Sequence, residues 1–198
     1  LICKKGVKLI ISDHRHNPFL SVEDHEKIEA ISDADLWKVY ARGLTGKAKG
    51  VIYKKWQTVD EMPKVFKKRF GAIDFGFTND PTAILDIRLS EGELRIDLIS
   101  YDVEMDNPMI VDVIQSPGMP KIHFVADSAE PKSIAELRKL GLSVEGADKG
   151  PDSIKNGISA VKRYKLNVTR RSKFLITELE RYRWAVDGAG NPLNAPID

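Results

Sequence analysis

Two aspartates occupy similar places in two short apolar segments of the sequence. Asp74 lies within FGAIDFGF, and Asp127 ends KIHFVAD. An ionised carboxylate inside a buried strand costs several kcal/mol unless it is paired or binds a cation. If the two strands are neighbours, both carboxylates meet at one sheet edge, where their repulsion raises one pKa unless a divalent metal holds them. Mg²⁺ accepts one or two carboxylates together with waters and substrate phosphates, so the pattern predicts a metal site that handles a phosphodiester.

Each aspartate also has a purely structural interpretation. Asp74 could cap a turn, and Asp127 could cap the helix that begins near Pro131. The residue types alone leave both interpretations open, so the elements around the two acids have to be considered.

From about residue 70 the sequence alternates between strand and helix patterns. The antiparallel-type strands FGAIDFGF, TAILDIRL and LRIDLISYDV come first, and the break at SEGE indicates a hairpin turn. Alternating helices and strands follow, with one helix beginning at Pro131 and a last helix capped by Ser172. This order predicts an α/β fold, with a mixed sheet and helices on both faces.

The first 69 residues lack the regular alternation of strand and helix patterns. They contain the strand pattern GVKLII and two short helices, one of which begins at Ser21 with Asp24 as its capping partner. Because these elements cannot bury a core alone, we predict a mostly helical linker at 1–69 and the main domain at 70–198.

Composition excludes several classes of protein. The single cysteine, Cys3, excludes an internal disulfide framework and multi-cysteine zinc sites, and no apolar run reaches the roughly 18 residues of a membrane span. We therefore expect an intracellular protein without a membrane segment.

Charge is unevenly distributed along the chain. Residues 1–70 carry 15 Lys/Arg against 9 Asp/Glu, residues 71–148 carry 6 against 15, and residues 149–184 carry 10 against 3. Solvated faces can produce such runs by chance. Alternatively, an acidic centre collects divalent cations while basic flanks collect a polyanion.

Several longer motifs resemble one known family. DFGFTNDPTAIL, VADSAEPKSIAELRKLGLSVEGADKGPDSIKNGI, NPFL, WKVYARGLTGKAKGVIY and the final LNAPID are similar to the nuclease domain of phage terminase large subunits, which package DNA. The resemblance covers nearly the whole chain. It implies a ribonuclease H-like fold, with residues 1–69 as the tail end of the ATPase domain and its linker.

The same resemblance implies an activity and a set of site residues. It implies an endonuclease that cuts concatemeric double-stranded DNA with two Mg²⁺ or Mn²⁺ ions, with Asp74 and Asp127 as catalytic metal ligands. The family's third acid lies beyond Asp198, in a pattern that this sequence does not reach, so residues 1–198 alone are expected to cut poorly. Lys149, Lys155, Arg170 and Arg171 are candidates for phosphate contacts.

The resemblance also implies partners and a location. The upstream ATPase domain, the portal protein and the small terminase subunit are the expected protein partners, in the cytoplasm of the bacterial host and transiently at the procapsid portal.

Two other functions stay open. DFGFT also fits D-x-G-x-T, the phosphate loop of actin-like ATPases and sugar kinases, which indicates a phosphotransferase. The acids could instead be structural, in a non-catalytic module that holds DNA or docks the motor. A nuclease predicts metal binding that Asp74→Asn abolishes, whereas a docking module predicts DNA binding without metal dependence.

Overall fold

The computed structural model describes residues 12–32, 34–43, 50–119, 121–187 and 192–197. Contacts divide the chain into two compact units, residues 1–49 and residues 50–198. The strand predicted for GVKLII and the terminal Asp198 lie outside the described residues.

The first unit is helical where it is described. A 3₁₀ turn at His14–His16 precedes α1 (Val22–Glu29) and α2 (Ala34–Arg42). The Ser21 hydroxyl accepts a hydrogen bond from the Asp24 amide at 3.1 Å, as the capping pattern predicts.

The second unit is built from nine strands and four helices in its described residues. The strands are β1 (Trp56–Val59), β2 (Lys68–Asp74), β3 (Thr82–Ser90), β4 (Glu93–Asp102), β5 (Phe124–Ala126), β6 (Val144–Gly146), β7 (Lys165–Thr169), β8 (Arg183–Val186) and β9 (Pro192–Ile197). The helices are α3 (Asn107–Ile114), α4 (Pro131–Lys139), α5 (Ser153–Val161) and α6 (Lys173–Arg181).

Seven strands form one mixed sheet in the order β1-β7-β4-β3-β2-β5-β6. Strand β3 is antiparallel to β2 and β4, and the other neighbouring pairs are parallel. All strands of this sheet except β3 therefore run in one direction, so their carboxyl ends share one edge of the sheet, which we call the carboxyl edge.

Helices cover both faces of the sheet. On one face, apolar side chains of α3 and α4 pack against a cluster that includes Ile73, Ile84 and Phe124. On the other face, Leu179 of α6 and Val161 of α5 pack against a cluster that includes Ile87. The mixed α/β sheet with helices on both faces is thus confirmed.

Three features differ from the sequence-based expectation. Strand β1 pairs with β7, so the second compact unit begins twenty residues before the predicted boundary at residue 70. The antiparallel pair β8–β9 follows α6 and was not predicted. Ser172 precedes α6 but its side chain does not cap the helix, because its hydroxyl accepts the Leu98 amide at 2.8 Å instead.

Candidate metal site at the carboxyl edge of the sheet

Adjacent parallel strands bring Asp74 and Asp127 together. Strands β2 and β5 pair in a register that sets Ile73 opposite Ala126, and the next residue of each strand is the aspartate. The Asp127 amide continues this ladder by donating to the Ile73 carbonyl at 3.1 Å. Neighbouring strands lie about 4.8 Å apart, so the two carboxylates project from neighbouring points of the carboxyl edge.

Asp74 itself is not buried, which corrects the expectation drawn from its apolar surroundings. Strand β2 ends at Asp74, and Gly71 and Ile73 are buried while Asp74 is exposed. The strand carries the carboxylate out of the core at its last residue, so no large desolvation cost needs to be offset. Exposure makes the carboxylate accessible to a ligand from solvent.

Asp127 is held by two donors. Its Oδ1 accepts from the Ala129 amide at 2.9 Å and forms an ion pair with the Lys149 ammonium. The hydrogen bond and charge of Lys149, together with the Ala129 amide, hold the pKa of Asp127 below its ordinary value. The Ala129 contact is a local turn. Asp127 does not cap the helix as the structural interpretation expected, because the residue that precedes α4 is Glu130.

The loop after Asp74 is fixed by one buried hydroxyl. The fully buried Thr82 donates from Oγ1 to the Gly76 carbonyl at 2.8 Å, and the same oxygen accepts the Gly76 amide at 3.2 Å. A Cβ on Gly76 would lie 2.1 Å from the Asp80 carbonyl oxygen, so only glycine fits this close approach. The backbone that follows Asp74 is therefore held in one conformation.

Each of the four residues predicted to contact phosphates is paired with a carboxylate in the structure. Lys149 pairs with Asp127, Lys155 with Asp152 at 2.9 Å, Arg170 with Asp60 at 2.7 Å, and Arg171 with Asp97 at 2.8 Å through its Nε. The pairs of Lys155 and Arg170 are exposed, and such pairs contribute little and exchange partners easily.

Position on the sheet still places three of these four cations around the acids. Lys149 follows β6, and Arg170 and Arg171 directly follow β7, so they leave the sheet at the same edge as Asp74 and Asp127. The strand order sets β6 on one side of the two acids and β7 on the other. Positive charge thus flanks the acidic pair from both directions along the edge.

Two further carboxylates are far more buried than Asp74, and the sequence did not reveal them. Asp86 of β3 and Asp97 of β4 are 4 % exposed and lie directly opposite each other. Asp86 accepts two hydrogen bonds from Arg69 at 2.8 Å, and Asp97 accepts from the Thr169 hydroxyl at 2.5 Å as well as from Arg171. Their charges are already matched by arginines, so they are structural ion pairs.

The carboxyl edge suits a hard divalent cation. Within the described residues no group of three or more His, Cys, Asp or Glu side chains is close enough to hold a metal ion. Two aspartates nevertheless fit Mg²⁺ or Mn²⁺, which take oxygen ligands, and Mg²⁺ in particular keeps several waters and few protein ligands.

The family of the chain follows from comparison with known proteins. The sequence model of one protein family, the terminase RNase H-like domain, matches residues 74–198. The chain belongs to this family. The matched region begins at Asp74 and includes Asp127, so both acids of the carboxyl edge lie within the family domain.

Individual relatives agree with this assignment. The chain is 30% identical over 161 residues to the large terminase subunit of Bacillus phage SPP1, an alignment that covers 74% of this chain and 37% of that protein. It therefore spans little more than a third of that relative. The resemblance to terminase large subunits noted from the sequence is confirmed.

Solved structures support the same fold. The nuclease domain of the SPP1 large terminase with bound Mn superposes with a TM-score of 0.64 at 25% identity, covering 75% of this chain and 90% of that one. The large terminase of a thermophilic bacteriophage matches with a TM-score of 0.59 at 21% identity, over 94% of this chain and 50% of that one. The predicted ribonuclease H-like fold is confirmed.

The described residues contain no helix that is both long and apolar enough to cross a membrane.

Proposed function

We propose that this domain is a metal-dependent endonuclease that cuts concatemeric double-stranded DNA during phage genome packaging. The observation that carries the proposal is the placement of Asp74 and Asp127 on adjacent parallel strands at the carboxyl edge, where both reach solvent. The family assignment favours this activity over the phosphotransferase considered from the sequence.

Asp74 and Asp127 would be ligands of two Mg²⁺ or Mn²⁺ ions. The SPP1 nuclease domain contains Mn, and the nuclease of phage G20c, which is similar at 18% identity, was solved with bound magnesium. When bound, such ions generate hydroxide from water at neutral pH and stabilise the leaving oxygen of a phosphodiester.

The remaining residues of the edge position the substrate. Lys149 pairs with Asp127, and its ammonium would contact the phosphate backbone when Asp127 holds a cation. Lys155, Arg170 and Arg171 would contact phosphates on the two sides of the acids. Such contacts fix the DNA without selecting its sequence.

The wider context of the activity is also a proposal. The chain would act together with an upstream ATPase domain, to which the first compact unit, residues 1–49, would belong, and with the portal and small terminase subunit. It would work in the cytoplasm of the bacterial host. The third metal ligand would lie in chain that continues past Asp198.

The test compares nicking of supercoiled plasmid in Mg²⁺, Mn²⁺ and EDTA. The variants are Asp74→Asn, Asp127→Asn and the matched control Asp112→Asn, which changes an exposed carboxylate on α3. Each is made in a protein of residues 1–198 and in one extended past Asp198. We expect metal-dependent nicking by the extended chain, its loss in both edge variants, and its retention in Asp112→Asn. Mn²⁺ binding measured by calorimetry is expected to weaken in the same two variants.

The absence of a three-ligand cluster among the described residues keeps a second function in consideration. A non-catalytic module that holds DNA predicts no cutting by either chain under any metal, and DNA binding that is the same in EDTA and in Asp74→Asn. That pattern would refute the nuclease and establish the holding function.

A further inference from the structure

A cleft of about 960 Å³ lies away from the carboxyl edge. Its walls come from residues 50–57, from residues 161–166 and from Trp184. These segments include the amino ends of β1 and β7, so the cleft opens at the sheet edge opposite to Asp74 and Asp127.

Strand register gives the separation between the cleft and the acids. Lys165 in the cleft pairs with Glu93 of β4, whereas Tyr101 of β4 lies in the cross-strand row that contains Asp74. Eight residues separate Glu93 from Tyr101, which is about 26 Å at 3.3 Å per residue. A ligand in the cleft therefore does not touch the acidic pair.

The charge of the cleft has one sign. Five of its lining residues are cations, namely Lys54, Lys55, Lys162, Arg163 and Lys165, and none of the fifteen described residues that line it carries a carboxylate. Lys165 is paired with Glu93 at 3.4 Å, but Lys54, Lys55 and Arg163 form no ion pair with any other described residue. The cations that lack a carboxylate partner favour an anionic ligand.

Flat aromatic rings form the other part of the lining. Tyr53, Trp56, Tyr164 and Trp184 all contribute, and the Lys162 ammonium lies 5.7 Å from the centre of the Trp184 ring. Burial raises the pKa of Tyr53 to about 12, so its phenol stays neutral and adds no negative charge. Aromatic faces beside cations match ligands that combine flat rings with negative groups.

From this combination we propose that the cleft is a second binding site, for nucleotide units, in which lysines and Arg163 contact phosphates and Trp184 stacks on a base. The ligand is a single strand of nucleic acid or a free nucleotide, because both present the same phosphate and base. The site does not depend on the acids of the carboxyl edge and is separate from the proposed cutting reaction.

Binding is measured by fluorescence anisotropy in EDTA, which removes any contribution of metal at the carboxyl edge. The probes are a single-stranded DNA twelve-mer, ATP and an acidic polymer, polyglutamate. We expect the twelve-mer or ATP to bind at least tenfold more tightly than polyglutamate of equal charge. Binding of the twelve-mer identifies a strand as the ligand, and binding of ATP alone identifies a free nucleotide.

Variants separate the two parts of the site. The double variant Lys55→Glu with Arg163→Glu is expected to weaken binding of the twelve-mer at least tenfold and to reduce the slope of log K against log salt by about 2. The matched control Lys139→Glu, an exposed lysine at the end of α4, is expected to leave binding within twofold.

Stacking is tested at Trp184. Trp184→Leu is expected to weaken binding about fivefold or more, while Trp184→Phe keeps a ring and retains most of the affinity. Thermal melting of each variant checks that the fold is intact, and the charge variants, which change exposed side chains, keep the test valid if Trp184→Leu fails to fold.

Three results would overturn the proposal: equal binding of polyglutamate, an affinity unchanged in the double charge variant, or an affinity lost in Asp74→Asn. Failure of the cutting assay leaves this test intact, because it is run without metal. Conversely, if the cleft binds no nucleotide, the metal-dependent nicking assay with Asp74→Asn still tests the proposed nuclease.

Discussion

Gly76 offers a sharp test of how the fold positions Asp74. In Gly76→Ala the new Cβ would lie 2.1 Å from the Asp80 carbonyl oxygen and 2.7 Å from the carbonyl carbon of Pro81. Both are backbone atoms that cannot rotate away, so the loop must move by about 1 Å to reach ordinary contact distance.

The magnitude follows from what that movement breaks. Forced overpacking costs about 1–3 kcal/mol, and the loop shift also weakens the two hydrogen bonds between Gly76 and the Thr82 hydroxyl, each worth about 1 kcal/mol. The free energy of unfolding should therefore fall by about 2–5 kcal/mol. For a domain of this size each kcal/mol is worth about 2–4 °C, so the Tm should fall by roughly 5–15 °C.

Gly157 provides a control with the opposite sign. It lies within α5, and a Cβ there would meet nothing within 4 Å. Because glycine in a helix interior is less favourable than alanine by about 0.5–1 kcal/mol, Gly157→Ala should raise the Tm by a few degrees. The identical chemical change thus has opposite effects at the two sites.

Calorimetry and Mn²⁺ titration of both variants measure the two consequences. At a temperature where it is folded, Gly76→Ala should bind Mn²⁺ more weakly, because the displaced loop begins two residues after Asp74, while Gly157→Ala should bind as the parent does. A Gly76→Ala variant that melts within 1 °C of the parent would show that the loop is not held by this approach.

Two predictions concern the buried acids. Asp86→Ala leaves Arg69 and Arg88 without their carboxylate in a partly buried place, and the free energy of unfolding measured by urea denaturation should fall by about 2–4 kcal/mol. At Asp97, burial raises the pKa, but the hydrogen bonds and charge of Arg171 outweigh it and the pKa lies below its ordinary value. A carboxylate with a lowered folded pKa adds stability above its unfolded pKa that is lost as the pH falls, so the parent should lose stability below about pH 4 and Asp97→Asn should lose less over that range. If both proteins lost the same amount of stability as the pH falls, the lowered pKa of Asp97 would be contradicted.

The strands and helices of the domain could be predicted because their signals are local. Alternation of apolar residues marks β3 and β4, and Pro131 and Gly141 bracket the helix α4 and its terminal turn. The position of Asp127 at the end of a short buried strand was equally visible. The pairing of β2 with β5 could not be predicted from the sequence pattern, because strands separated by fifty residues meet only through tertiary packing.

The same limit explains why the buried carboxylates were not found from the sequence. The alternation in TAILDIRL puts Asp86 on the face of the strand opposite to Leu85 and Ile87. From the sequence alone, a face that carries an aspartate is expected to be exposed to solvent. In the structure that face is closed over Asp86 by arginines, one of which donates to the Pro63 carbonyl in the segment between β1 and β2. Asp74 was misjudged in the other direction, because nothing in FGAIDFGF shows that the strand ends at the aspartate.

The partners of the carboxylates distinguish structural acids from available ones. Asp86 and Asp97 are held by guanidinium groups, whose planar forks match both oxygens and fix the geometry. Asp127 is held by Lys149, whose ammonium is a compact point charge on a flexible stem. A divalent cation can displace a lysine ammonium from an accessible carboxylate more easily than it can displace an arginine guanidinium from a buried one. The same chain thus keeps two acids locked within its sheet and leaves another open to exchange at the edge, where the proposed chemistry needs it.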